Sequence, residues 1–333
     1  MISPPALFLL AAFLPPQDSA PPQPPNMDHV VVISVDGLRS DAFLALGKEA
    51  TPNFHRLMQG AFTLNARPDP TYSITLPNHV GMLTGRIAEG KQGHGWTGNQ
   101  LPKKEETLSC NSIFHVAHQA NIRTSLFATK GKFILFQNSW PKQFDAFQVE
   151  PYKDEASVAS LHSMVTQGVL SQLRAPSRAL IFAHYLGPDV AGHLHGWNLT
   201  KDSKYLQAIQ AIDAELGLLF QELDQNKQLL QKTAIILTSD HGGGSPQKNH
   251  HGIPNMWVNL IIPFFVWGHD LPQQELYALN TKTRKDPSIY NPGPEADVPP
   301  IRNSDTANLA LSLLSLPPIS GSTANPQQNL RIQ

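Results

Sequence analysis

The chain has 333 residues, 41% of them hydrophobic, and a formal charge of -1 at pH 7. That length and apolar content suffice for a sizeable core, and the near-zero charge leaves no basic excess to neutralise a nucleic-acid backbone, so no nucleic-acid partner is expected. The single cysteine, Cys110, excludes an intramolecular disulfide framework and a cysteine zinc site and reads as a buried small hydrophobe, whereas 14 histidines, several beside Asp or Gly, draw attention to metal.

The first 26 residues hold eight prolines and the apolar run Ala6 to Leu14. The run has the length of the apolar stretch of a signal peptide and is far too short to span a bilayer. No Lys or Arg precedes it and Pro21 follows Ser19-Ala20, so a start near Met27 or a disordered Pro-rich leader are the alternatives. Export would place the protein in a periplasm or outside the cell. Residues 27–333 read as one domain, with no run long enough to cross a membrane.

From His29 onward short apolar runs alternate with helical stretches, the pattern of an α/β fold with a mostly parallel central sheet and helices on both faces. The strands expected are His29 to Val35, Arg123 to Thr129, Ala179 to Tyr185, Thr233 to Ser239 and Ile262 to Trp267. Helices are expected over Asn111 to Gln119, Ser203 to Leu223, where Leu206, Ile209, Ile212, Leu216, Leu219 and Phe220 recur at steps of three and four, and Ser304 to Leu314. Residues 270–303 read as a surface loop over the site or an edge meander.

Chemistry-bearing residues gather at the ends of these runs. In VVVISVDGLRSDAF, Asp36 follows a strand directly, where open α/β sheets present ligand groups; the plainer reading is an Asp-Gly turn. In DPTYSITLPNHVGMLTGR, Pro77 suits the first helical position and Thr75 lies just ahead of a helix N-terminus able to receive a phosphate, with Asn78 able to donate its amide to a phosphate oxygen; otherwise Thr75 is only a cap. In HYLGPDVAGHLHG, Asp189 and His193 share a face if the turn is helical, His184 reads as core or supporting, and His195 as exposed or substrate-facing. LTSDHGGG presents Asp240 and His241, without the Lys-Ser/Thr of a P-loop, and NHHG adds His251, with His250 as an alternative. Three carboxylates, three imidazoles and one hydroxyl suit two divalent zinc-like ions, with the hydroxyl as nucleophile.

In that order these segments, with TSDHGGG, NHHGIPNMWVNLIIPFFVWG and NSDTANLALSLLSL, resemble the alkaline phosphatase superfamily, and within it the type I phosphodiesterase/nucleotide pyrophosphatase branch, over nearly all of Met27 to Leu316. The resemblance implies an alkaline-phosphatase-like fold, one zinc held by Asp36, Thr75, Asp240 and His241, and a second by Asp189, His193 and His251. It further implies Thr75 as the nucleophile, Asn78 as a contact to the phosphoryl oxygen, and hydrolysis of a small-molecule phosphodiester or nucleotide pyrophosphate through a covalent phosphothreonine. A sulfatase would need Cys or Ser where Thr75 stands, and a membrane phosphoethanolamine transferase several spanning helices. A phosphomonoesterase or phosphonate hydrolase of the same superfamily, and an inactive metal-binding protein, are the remaining alternatives.

Overall fold

Runs of Val, Ile, Leu and Phe with no polar face are accommodated only where both sides of a strand are covered. In the computed structural model, which describes residues 25–244, 250–253 and 256–333, these runs form the middle of one sheet. All but the last two residues of the expected leader lie outside the described residues. The strands in chain order are β1 (His29–Val35), β2 (Ala61–Ala66), β3 (Arg123–Ala128), β4 (Ala146–Val149), β5 (Ala179–Tyr185), β6 (Thr233–Thr238), β7 (Ile262–Gly268) and β8 (Gln274–Glu275). Their spatial order is β4-β3-β5-β1-β6-β7-β2-β8. Pairing is parallel from β4 through β6, and β7 runs antiparallel to both β6 and β2.

The pleat divides the buried strands between two cores. Val30, Val32, Phe182 and Ile236 face one side, packed with the helices Thr75–Thr84, Ile113–Gln119 and Thr306–Leu313. Val31, Ile33, Ile181 and Ile235 face the other, under Val158–Leu173 and Lys204–Gln225. Lys204–Gln225 buries Leu206, Ile209, Ile212, Leu216, Leu219 and Phe220 along one stripe, each contributing about 1.5–3 kcal/mol if fully withdrawn from water, and Ser203 caps it by accepting from Leu206 N. Helices thus cover both faces of a mostly parallel sheet, as expected.

The five expected strands are β1, β3, β5, β6 and β7, within one residue at each end. β2, β4 and β8 were not foreseen, because all three lie toward the sheet margins and leave residues half-buried or exposed, so their sequences carry no continuous apolar signal. Residues 270–303 contribute the edge strand β8 and then run along the end of β2, where Arg67 Nε donates to Tyr290 O (2.6 Å) and Asn291 Nδ2 to Asp69 O (3.1 Å). This is the edge meander of the two expected forms. Cys110 is half-buried at the margin of a core rather than within it.

Candidate functional site

Register places the site. β1 pairs in parallel with β5 and β6 on its two sides, with Val35 opposite Tyr185 and Ser34 opposite Thr238. The three strands therefore end at one level, and the segments leaving them carry Asp36, Asp189 and Asp240 to the same edge. Asp189 and His193 lie on the helix Gly187–His195, so their spacing of four does bring them onto one face.

Thr75 arrives differently. It opens the helix Thr75–Thr84 after Ile74 as N-cap, so the helix starts two residues before the expected first position at Pro77; Pro77 sits at the third helical position, where a missing N–H is tolerated because no partner within the helix awaits it. His79, one turn on and fully buried, ties this helix to β1: its Nδ1 lies 2.7 Å from Thr75 O and its Nε2 2.8 Å from Ser34 Oγ. A carbonyl only accepts, so Nδ1 carries the proton and Nε2 accepts from Ser34.

The six expected ligands form two groups, Asp36 with Asp240 and His241, and Asp189 with His193 and His251, the ligand atoms within each lying within 4.8 Å of one another. The groups abut, with the His241 and His251 rings stacked at 3.6 Å. His241 Nδ1 donates to Gly242 O (2.8 Å) and His251 Nδ1 to Ser73 O (2.7 Å), which turns both Nε2 lone pairs toward the cluster, His241 Nε2 unpartnered and His251 Nε2 3.2 Å from His193 Nε2. Asp36 Oδ1, Asp189 Oδ1, Asp240 Oδ2 and His241 Nε2 are buried without a hydrogen-bond partner. Orphaned acceptors facing one another cost stability unless a cation fills the gap, so the donor set fits two divalent ions. His251 is the buried member of the His-His pair, while His250 is exposed and stands outside both groups.

Electrostatics follow from burial and from one cation. Lys130 Nζ lies 2.7 Å from Asp36 Oδ2, 2.6 Å from Asp189 Oδ2 and 3.3 Å from Thr75 Oγ1. Burial pushes both carboxyls up, but Lys130 holds Asp36 well below the usual range, with help from His184, and also brings Asp189 down. Asp240 is raised well above it by burial and by the charge on Asp36. Burial and the neighbouring His251 push His241 down to about 3, so it is a neutral imidazole, the form that ligates a metal.

Several expectations are corrected or completed here. Asn78 is buried and spent: its Nδ2 donates to Tyr72 O (2.8 Å) and Ile74 O (2.9 Å), and its Oδ1 accepts from Asp69 N (2.7 Å) and Asn303 Nδ2 (3.0 Å). An amide has two donors and two acceptor lone pairs, so no donor is left for a phosphoryl oxygen. The amide beside Thr75 is that of Asn99, whose Oδ1 accepts from Leu76 N (2.9 Å) and Lys132 Nζ (3.0 Å). Asn99 lies in the loop HGWTGNQ, where no periodicity or strand end marks it. Lys130 and Lys132 carried no signal beyond being lysines after a strand.

His184 supports the site, with Nε2 2.9 Å from Asp36 Oδ2, and His195 is exposed and paired with Glu155 (2.8 Å). Trp197 forms the floor: a Cβ at Gly37, Gly192 or Gly243 would fall 2.7, 2.3 or 2.4 Å from its indole. Gly192 is thus required by this ring rather than by a ligand.

A family model described as type I phosphodiesterase/nucleotide pyrophosphatase matches residues 30–291. Ectonucleotide pyrophosphatase/phosphodiesterase family member 5 from Homo sapiens is 28% identical over 238 residues, 66% of this chain and 45% of that protein. Bis(5'-adenosyl)-triphosphatase enpp4 from Xenopus laevis is 24% identical over 229 residues, 64% of this chain and 46% of that protein. The chain therefore spans under half the length of these curated relatives. Among solved structures, a protein in the alkaline phosphatase superfamily from Vibrio parahaemolyticus has the same fold, with a TM-score of 0.62 and 14% identity over 92% of this chain and 72% of that one. Because the family model runs from the second residue of β1 to beyond β8, the chain belongs to the type I phosphodiesterase/nucleotide pyrophosphatase family.

Proposed function

We propose that the protein is a metal-dependent phosphoesterase that cleaves phosphodiester or nucleotide pyrophosphate bonds through a covalent phosphothreonine on Thr75. The observation that carries this reading is the pair of three-residue ligand groups meeting at Asp36 and Asp189, both joined through Lys130 to Thr75 Oγ1. Asp36, Asp240 and His241 with Thr75 would hold one divalent ion, and Asp189, His193 and His251 a second; the mixed imidazole and carboxylate donors favour zinc. Ions bound there supply acidification of a nearby hydroxyl and neutralisation of charge on the transferring phosphoryl group.

The chain's own groups do the rest. Thr75 Oγ attacks phosphorus in line, forming the Oγ–P bond as the bond to the leaving oxygen breaks, and water then reverses the step by displacing Oγ. Held at its Oδ1, Asn99 has its Nδ2 donors left to meet a phosphoryl oxygen. The name of the frog relative, a bis(5'-adenosyl)-triphosphatase, supports nucleotide pyrophosphates as the substrate class. We read residues 27–333 as one catalytic domain and the stretch 1–26 as an export leader; among the described residues no helix is long and apolar enough to cross a membrane.

One observation favours a second reading. Lys130 and Lys132 near Thr75 add positive charge suited to a phosphate monoester dianion or a substrate with a further anionic group, as in phosphonate hydrolysis. Rates on bis-aryl and mono-aryl phosphates, each with and without chelator, separate the two. Faster, chelator-sensitive cleavage of the diester supports the first reading, and a preference for the monoester replaces it with the second.

A further inference from the structure

Lys130 is the only described side chain in contact with a ligand of each group and with the nucleophile at once. Its ammonium engages Oδ2 of Asp36, an oxygen it shares with His184 Nε2 (2.9 Å), and Oδ2 of Asp189, at 2.7 and 2.6 Å. The other oxygen of each carboxylate, Oδ1, has no hydrogen-bond partner and faces the imidazoles: Asp36 Oδ1 lies 3.5 Å from His241 Nε2, and Asp189 Oδ1 lies 3.2 Å from His193 Nε2 and 3.7 Å from His251 Nε2. Each carboxylate therefore divides its oxygens, one to the chain's own cation and one to the ligand cluster. The ligand set is complete with Lys130 in place.

We infer that Lys130 is a positioning residue that bridges the two metal groups, presenting Asp36 and Asp189 each by a single oxygen and screening the two carboxylates from each other. A free carboxylate rotates and can offer either oxygen or both; tying off Oδ2 removes that freedom before a metal arrives, which is how groups behind a ligand raise affinity. The competing force is repulsion between an ammonium and two dications. If repulsion dominates, Lys130 opposes metal binding, and the two cases have opposite signs.

The inference rests on reading the two groups as metal sites, and its test separates the two failures. Zinc titration of chelator-treated protein, against a competing chromophoric chelator, gives stoichiometry and affinity for wild type, Lys130→Met and Lys130→Arg, with the thermal midpoint of each metal-free form as control. Wild type is expected to take up two ions. Lys130→Met is expected to bind both about 10- to 100-fold more weakly, as removal of groups behind metal ligands does, with Lys130→Arg restoring part of the loss by keeping the charge. Unchanged or tighter binding by Lys130→Met overturns the inference while leaving the metal reading intact, and so does loss of thermal stability with no loss of affinity. Should Lys130→Met not fold, Lys130→Gln, which keeps a donor without the charge, is read by the same outcomes. Absence of zinc binding by wild type overturns the metal reading itself.

Discussion

Two buried polar clusters lie side by side in this molecule and are built on opposite rules. Around Asp69 and Asn78 the hydrogen bonds close: Asp69 accepts from the N–H groups of Thr71 (2.9 Å), Tyr72 (3.1 Å) and Ala88 (2.7 Å), Asn78 spends all four of its bonds, and Arg302 donates to Pro68 O (2.7 Å), Asn291 Oδ1 (2.8 Å) and Pro292 O. At the ends of β1, β5 and β6 the acceptors outnumber the donors, and four ligand atoms face one another unpartnered. A closed cluster is complete as folded and holds shape; an open one is finished only by something the chain does not supply. Asn78 and Asn99 look alike in sequence and fall on opposite sides of this division.

The comparison can be broken. Thr75→Ala should cost the most, about 10³-fold or more in kcat, while zinc titration still finds the Asp189, His193 and His251 group occupied; near-normal turnover would remove Thr75 from the chemistry. Asn99→Ala should lower kcat about 100-fold, as loss of one donor to a developing charge does, and cost about 1 kcal/mol in urea unfolding because Leu76 N loses its acceptor. Asn78→Ala should do the converse, costing about 2–4 kcal/mol of stability in urea unfolding because Asp69 N and Asn303 lose their acceptor. A stable Asn78→Ala with depressed kcat would return Asn78 to the active site.

Smaller effects sharpen the picture away from the site. Burial lowers His94 and His162 to about 4 from 6.5, and a base whose folded value is depressed contributes stability that is complete above 6.5 and lost as pH falls through 4. Urea unfolding of the chelated protein should therefore show a declining midpoint between those values, and a flat profile would mean that neither histidine is buried neutral. Asp213, on Lys204–Gln225, accepts from Asn53 N (3.0 Å) and Phe54 N (2.8 Å) at the start of the helix Pro52–Leu57; Asp213→Ala should cost about 1 kcal/mol by the same assay, without changing kcat.

Legibility in the sequence follows burial and locality. β1, β5 and β6 are buried on every residue, so composition alone marks them, and their ends mark Asp36 and Asp240. The pair Asp189 and His193 is legible because four residues make one helical turn. The margins of the sheet were missed because strands covered on one side share their composition with loops. Asn99, Lys130 and Lys132 were missed for another reason: each acts through partners at least 23 residues away, such as Leu76 and Asp189, and no local pattern encodes a contact of that kind.

What the sequence by itself determined is the α/β alternation, the inventory of carboxylates, imidazoles and hydroxyl, and their placement after buried strands, since hydrophobic period and strand length are local properties of the chain. Only the tertiary structure decided the gathering of these side chains into two compact groups, the burial of His251 beside His193 while His250 stays exposed, the closing of Asn78 into the scaffold and the insertion of Lys130 between Asp36 and Asp189. Those outcomes depend on which oxygen or nitrogen of a side chain is already occupied, and occupancy is settled by neighbours that only folding brings together.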